Sequence, residues 1–125
     1  MTSLIFRLTP QQLRLILIDP KMLELNVFDG IPHLVSKVIT EHTAAYNSLA
    51  WAVEEMERRY SLMADTGSKN IESYNLKMRS PTAKLPYIVI VVDELADLML
   101  SGGEAAEIAI TRLAQKARAP SAIVK

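Results

Sequence analysis

No cysteine occurs in the 125 residues. That excludes a disulfide framework and any thiolate metal site. His33 and His42 are the only histidines, too few for a conventional zinc centre. Neither sign of charge prevails, because 14 Lys and Arg balance 14 Asp and Glu. The usual basic nucleic-acid clamp is therefore missing. Strong DNA binding by this chain alone is not expected, although a few contacts repeated around an assembly would be compatible with it. Met1 to Pro10 is too short and wrongly patterned for a signal peptide, and no apolar run reaches membrane-spanning length. A soluble, cytoplasmic chain is the expectation. Glycine is scarce: only Gly30, Gly67, Gly102 and Gly103 occur, and none is followed by Lys. A phosphate-cradling Gly-x-x-x-x-Gly-Lys-Ser/Thr loop is therefore not in this sequence. Thr66-Gly67-Ser68-Lys69 comes nearest, but Ser68 separates Gly from Lys and no upstream glycine has the right spacing.

Half of the residues are hydrophobic, so a core can form, and the length allows one domain at most. The most informative stretch is Tyr87-Ile88-Val89-Ile90-Val91-Val92, which ends in Asp93-Glu94. A continuous β-branched run reads as a strand buried on both faces, as in a central parallel strand. Open α/β sheets bind ligands at the C-terminal ends of such strands. P-loop nucleotidases place a Mg²⁺-associated Asp there, and a following Glu can polarise the attacking water. The plainer reading is an acidic pair that caps the next helix. Leu13-Arg14-Leu15-Ile16-Leu17-Ile18 repeats the pattern and ends in Asp19-Pro20. Pro20 stops the strand because it has no N–H for the ladder. In a parallel sheet Asp19 and Asp93 then face one edge, where Asp19 is a candidate cofactor-binding residue. Alternatively, Asp19 is a turn residue bonded to its own loop.

Between the strands, Asp29-Gly30 and Pro32 punctuate an irregular segment, and 34–39 reads as a short edge strand. A helix is predicted over roughly 42–65. Leu49, Val53, Met56, Tyr60 and Met63 form its apolar stripe, and Gly67 ends it. Glu54, Glu55, Glu57, Arg58 and Arg59 are placed on the opposite side, with Glu54–Arg58 and Glu55–Arg59 as i,i+4 pairs. A short helix fits 69–79. After Glu94 a helical stretch runs to the Gly102-Gly103 break. A last helix covers about 104–118, burying Ala106, Ala109, Ile110, Leu113 and Ala117 and projecting Arg112, Lys116 and Arg118.

Five segments occur in order: Leu17-Ile18-Asp19-Pro20-Lys21-Met22-Leu23-Glu24-Leu25, Gly30-Ile31-Pro32-His33-Leu34, Glu55-Met56-Glu57-Arg58-Arg59-Tyr60, Val91-Val92-Asp93-Glu94-Leu95-Ala96-Asp97-Leu98-Met99, and Arg112-Leu113-Ala114-Gln115-Lys116-Ala117-Arg118-Ala119. Together they resemble the motor domain of the FtsK/SpoIIIE family of bacterial DNA translocases, over residues 3–119. The resemblance implies an α/β fold, a partial RecA-like P-loop NTPase core with a parallel sheet flanked by helices. It implies homo-hexameric rings around double-stranded DNA that use ATP and Mg²⁺ in cell division and chromosome segregation. Asp93 matches the Mg²⁺-associated Walker B acid, and Glu94 the water-activating catalytic acid. Arg118, with Arg112 second, is the candidate arginine that reaches a neighbouring subunit's γ-phosphate. A guanidinium suits the charge spread over the phosphoryl oxygens. The alternative for both arginines is a solvated helix face.

The sequence departs from the family pattern at both ends. Residues 1–12 resemble the tail of the helix that follows a P-loop, so the chain reads as beginning downstream of the phosphate site. After Ala119 the family continues into another buried strand, which Pro120 to Lys125 replaces. The expectation is residues 1–119 as the Walker B half of a motor domain and 120–125 as a divergent tail. The family's membrane-spanning region and its winged-helix DNA reader have no counterpart in these residues. Two further readings stand beside a motor fragment. One is a degenerate subunit that donates Arg118 in trans, and the other is a pseudogene remnant without activity of its own.

Overall fold

The computed structural model describes residues 7–22, 25–93, 95–116 and 122–124. Two runs of branched apolar side chains form its main strands, β1 (Leu13–Ile18) and β2 (Tyr87–Val92). They pair in parallel from Leu13↔Tyr87 to Ile18↔Val92 without a slip. Parallel neighbours need a long crossover, because the end of one strand lies far from the start of the next. The chain from Asp19 to Pro86 supplies it. A short strand β3 (Ala122–Val124) pairs in parallel with the other side of β2, giving the order β1-β2-β3. A three-residue strand thus lies within the stretch expected to be a divergent tail, as the β-branched Ile123 and Val124 allow.

The expected edge strand at 34–39 is only half realised. It bridges β1 at Leu15↔Leu34 and Ile18↔Ile39. β1 advances three residues between these bridges and the edge segment five, so the segment must bulge outward. Ser36 and Lys37 are exposed there. Arg14 secures the segment, donating to the Pro32 carbonyl at 3.2 Å and the Leu34 carbonyl at 3.0 Å.

Helix α1 (His42–Thr66) buries Leu49, Val53, Met56 and Met63, as its stripe predicts. It ends at Gly67, whose left-handed φ of 67° suits glycine. The N–H groups of Gly67 and Ser68 then donate to the Ala64 and Met63 carbonyls at 3.2 and 2.8 Å. Helix α2 (Ile71–Lys77) is shorter than expected. Asn70 starts it by accepting the Ser73 N–H at 2.8 Å. Helix α3 (Leu95–Lys116) bends at Gly103, where φ is 60° and ψ −146°. The two-glycine break is therefore real.

One face of the sheet carries Ile16, Ile18, Ile88, Ile90 and Val92. It packs on Leu49, Val53 and Met56 of α1 and on Leu98, Ile110 and Leu113 of α3. Each such fully buried aliphatic side chain contributes roughly 1.5–3 kcal/mol. The other face, with Leu13, Leu15, Leu17 and Val89, is covered by Leu25, Phe28, Ile31, Leu34 and Val38 from the segment before α1. Burial on both faces explains why the strands read as continuous apolar runs.

Candidate functional site

Asp19 and Asp93 directly follow the paired residues Ile18 and Val92, so both leave the sheet at its C-terminal edge. The backbone continues the ladder by one step: the Asp93 N–H donates to the Ile18 carbonyl at 2.9 Å and the Asp19 N–H to the Ile39 carbonyl at 2.8 Å. The shared edge expected from the two strand-then-acid patterns is present.

The two carboxyl groups differ in surroundings. Asp19 is fully buried. Its Oδ2 accepts the Leu25 N–H at 3.0 Å, and its carbonyl accepts the Met22 N–H at 3.1 Å. The turn between them holds Met22 at a φ of 56°, a region that costs a non-glycine residue energy. Asp19 thus organises the loop that follows β1, and its Oδ2 is engaged by that loop. Asp93 is partly exposed. Among the described residues no hydrogen bond or ion pair to its side chain is found. A partly exposed carboxylate at a strand end fits Mg²⁺, which takes one or two carboxylates and completes its octahedron with water and phosphate oxygens. Among the described residues no three His, Asp or Glu side chains form a cage of their own. Glu94 and Arg118, the expected catalytic pair, lie outside the described residues.

Arg112 is described, and it is not free. Its Nη2 donates to Glu57 Oε1 at 2.6 Å, with both side chains about half exposed. It ties α3 to α1, and reaching another subunit would require breaking this pair. The Lys116 side chain and Ala117 also lie outside what is described.

The sequence reading missed Arg59. It was placed on the solvated side of α1, yet it is only 3% exposed. Its Nε donates to Glu55 Oε2 at 2.7 Å and its Nη1 to the Pro86 carbonyl at 2.6 Å. Arg59 therefore pins α1 to the residue just before β2. The expected Glu54–Arg58 pair is replaced, because Arg58 makes a two-pronged contact with Glu55 at 2.7 and 2.8 Å. Burial pushes the Glu55 carboxyl up, but the hydrogen bonds and charges of Arg58 and Arg59 outweigh it and hold it below the usual range. Burial also lowers the Arg59 guanidinium, against the pull of Glu55. A signal was available: Leu49, Ala52, Met56, Arg59 and Met63 are spaced three and four apart, which puts Arg59 on the buried stripe.

Residues 1–123 match the model of the FtsK/SpoIIIE family. A DNA translocase FtsK of Campylobacter jejuni is 55% identical over 118 residues, covering 94% of this chain and 12% of the relative. One from Rickettsia typhi is 46% identical, again over 94% of this chain and 20% of the relative. The chain thus spans between about an eighth and a fifth of these proteins. Among solved structures, the pCW3 conjugation coupling protein TcpA with ATPγS superposes with a TM-score of 0.73, at 28% identity over 92% of this chain and 34% of that one. EssC (ATPases 2 and 3) from Geobacillus thermodenitrificans superposes at 0.71 over 94% of this chain and 22% of that one. Its identity of 19% speaks for the fold alone. No described helix is long and apolar enough to cross a membrane.

Proposed function

Because this chain belongs to the FtsK/SpoIIIE family, we propose that it forms part of an ATP-driven motor that moves double-stranded DNA in chromosome segregation and cell division. The unit is residues 1–119, the Walker B half of the motor domain, with 120–125 as a divergent tail. Its partners are further copies in a hexameric ring and the DNA that the ring encloses. The relatives at 46–55% identity are DNA translocases, which supports the reading. So does a structural neighbour solved with ATPγS.

The observation that carries it is the unslipped β1–β2 register, which sets Asp19 and Asp93 side by side on one sheet edge. Asp93 is placed to hold Mg²⁺, directly or through water. An ion held there with ATP would supply neutralisation of the charge on the phosphate oxygens. Asp19 acts on the nucleotide side by holding the backbone N–H groups of Met22 and Leu25 after β1. Glu94 follows Asp93 in sequence and serves as the acid that orients and deprotonates the attacking water. Arg118 reaches the nucleotide of the adjacent subunit. The phosphate cradle comes from elsewhere in the motor, because no Gly-x-x-x-x-Gly-Lys-Ser/Thr occurs in these residues.

The test grafts residues 13–118 into an intact family motor. Glu94→Gln should leave ATP binding nearly unchanged and cut DNA-stimulated turnover by at least about 100-fold, the range assigned to a general base. Arg118→Ala should spare nucleotide binding and impair turnover. Mixing Arg118→Ala subunits with P-loop-dead subunits should then restore part of it. If mixing restores nothing while both parents form rings, Arg118 does not act in trans.

A further inference from the structure

A cavity of about 380 Å³ opens beside Tyr87 at the N-terminal edge of the sheet. Its charged lining is Lys84 and Glu72 alone, so it favours neither sign of charge in a partner. A groove of about 330 Å³ on the second half of α3 is different. Glu104, Glu107, Ile108, Thr111 and Arg112 line it. Steps of three and one between them put all five on one helix face. All are exposed, Ile108 by 51%. Arg112 is already neutralised by Glu57. Among the described residues Glu104 and Glu107 are in no ion pair. The groove thus sets an apolar side chain beside two uncompensated carboxylates. Its complement is an apolar side chain accompanied by a cation.

The chain carries that complement at its nucleotide edge. Lys21 and Met22 follow β1, which ends level with β2 and Asp93. Both are exposed, Met22 by 60%. The left-handed φ of Met22, 56°, persists in a non-glycine residue only where the surroundings impose it. Here they do. Buried Asp19 accepts the Leu25 N–H at Oδ2 and the Met22 N–H at its carbonyl. Imposed strain of this kind clusters at sites that bind something. The turn is therefore a fixed mount for a projecting thioether. Lys21 has interactions within its own chain, but an ammonium has three donors and can add a carboxylate of another chain. Within one molecule the two patches do not meet, because neither Lys21 nor Met22 lines the groove.

We propose that Lys21 and Met22 of one copy dock in the α3 groove of the next, with Met22 against Ile108 and Lys21 against Glu104 and Glu107. This docking rests on the ring proposed above, in which Arg118 reaches the adjacent copy's nucleotide. α3 ends two residues before Arg118, so bringing Arg118 to the neighbouring nucleotide edge also brings the groove face toward the loop at that edge. The two patches are different surfaces, so the contact is head-to-tail, the kind that closes into rings.

The test uses an intact family motor, freed of cysteine and carrying residues 13–118. One batch of subunits has Met22→Cys and another Ile108→Cys. Mixed rings are oxidised and run on a non-reducing gel. A disulfide needs Cα atoms within about 7 Å, so a covalent dimer is expected from the mixture and from neither batch alone. Leu76→Cys in place of Ile108→Cys should give at least about fivefold less dimer, because Leu76 lines the cavity at the opposite edge. Glu104→Lys with Glu107→Lys in the Ile108→Cys subunits should cut the yield at least about fivefold. Lys21→Glu in the Met22→Cys subunits should then restore most of it. Rings that form without the dimer, or with as much dimer from Leu76→Cys, would overturn the docking and leave the ring standing. If the unsubstituted motor forms no rings, the ring reading fails and the docking fails with it.

Discussion

Tyr87 is the residue whose environment departs most visibly from the ordinary. Its hydroxyl donates to Glu72, and that bond, with some burial, pushes its acidity up to about 12. The same bond holds the Glu72 carboxyl below its usual range. Because the tyrosine is raised on folding, its contribution is complete below the unfolded value near 10 and is lost as pH climbs through about 12. An absorbance titration should therefore find one of the four tyrosines ionising near that upper value. Glu72→Gln should return it toward 10, and an unchanged titration would remove Glu72 as the cause. Glu55 obeys the opposite sign. Its carboxyl is lowered, so its contribution is present above the unfolded value near 4.5 and disappears as pH falls through the folded one. Glu55→Gln should flatten the loss of thermal stability on the acid side of that value. Arg59 is the more consequential partner. Removing it takes the Nη1 donor from the Pro86 carbonyl and leaves Glu55 with Arg58 as its partner. Arg59→Ala should lower stability by about 3 kcal/mol, the lower end for breaking a buried pair. A urea midpoint within error of the parent would contradict that.

At the scale of elements, the joints are made by single residues. Gly67 ends α1 with a left-handed backbone, and an added Cβ would meet only Lys77 Nζ at 4.0 Å. The cost of Gly67→Ala is thus one of backbone conformation, about 1 kcal/mol, measurable in a denaturant melt. Asn70→Ala should cost a similar ~1 kcal/mol by removing the cap of α2. What was legible in the sequence follows from the same physics. β1, β2, α1 and the break in α3 were readable because each has a local cause: branched runs, a 3.6-residue stripe, a glycine pair. The edge segment at 34–39 was not, because its bulge depends on where β1 offers hydrogen-bond partners. Arg59 was not legible as a core residue because its charge argues for solvent while its three-and-four spacing from Leu49, Ala52, Met56 and Met63 puts it on the buried stripe. The cavity was invisible in the sequence, because it joins residues near position 8 to others near 76 and 85, which only the crossover brings together.

At the scale of the whole molecule, a neutral chain is divided into two edges of different character. The C-terminal edge holds Asp19 buried inside its loop and Asp93 partly exposed, and the N-terminal edge holds a mostly apolar cavity beside Tyr87. The 125 residues alone contain no phosphate cradle, and each missing charge-assisted hydrogen bond forgoes roughly 1.5–3 kcal/mol. Calorimetry on this chain should therefore detect no micromolar Mg·ATP binding. The central claim is that Asp93 holds the metal at the nucleotide edge. It is tested most directly by a Mg²⁺ titration of ATP turnover in an intact family motor carrying residues 13–118, with and without Asp93→Ala. The account predicts that the Mg²⁺ concentration for half-maximal turnover rises at least about tenfold, the equivalent of roughly 1.4 kcal/mol at the metal. The same Mg²⁺ midpoint in both proteins, with turnover intact, would contradict it.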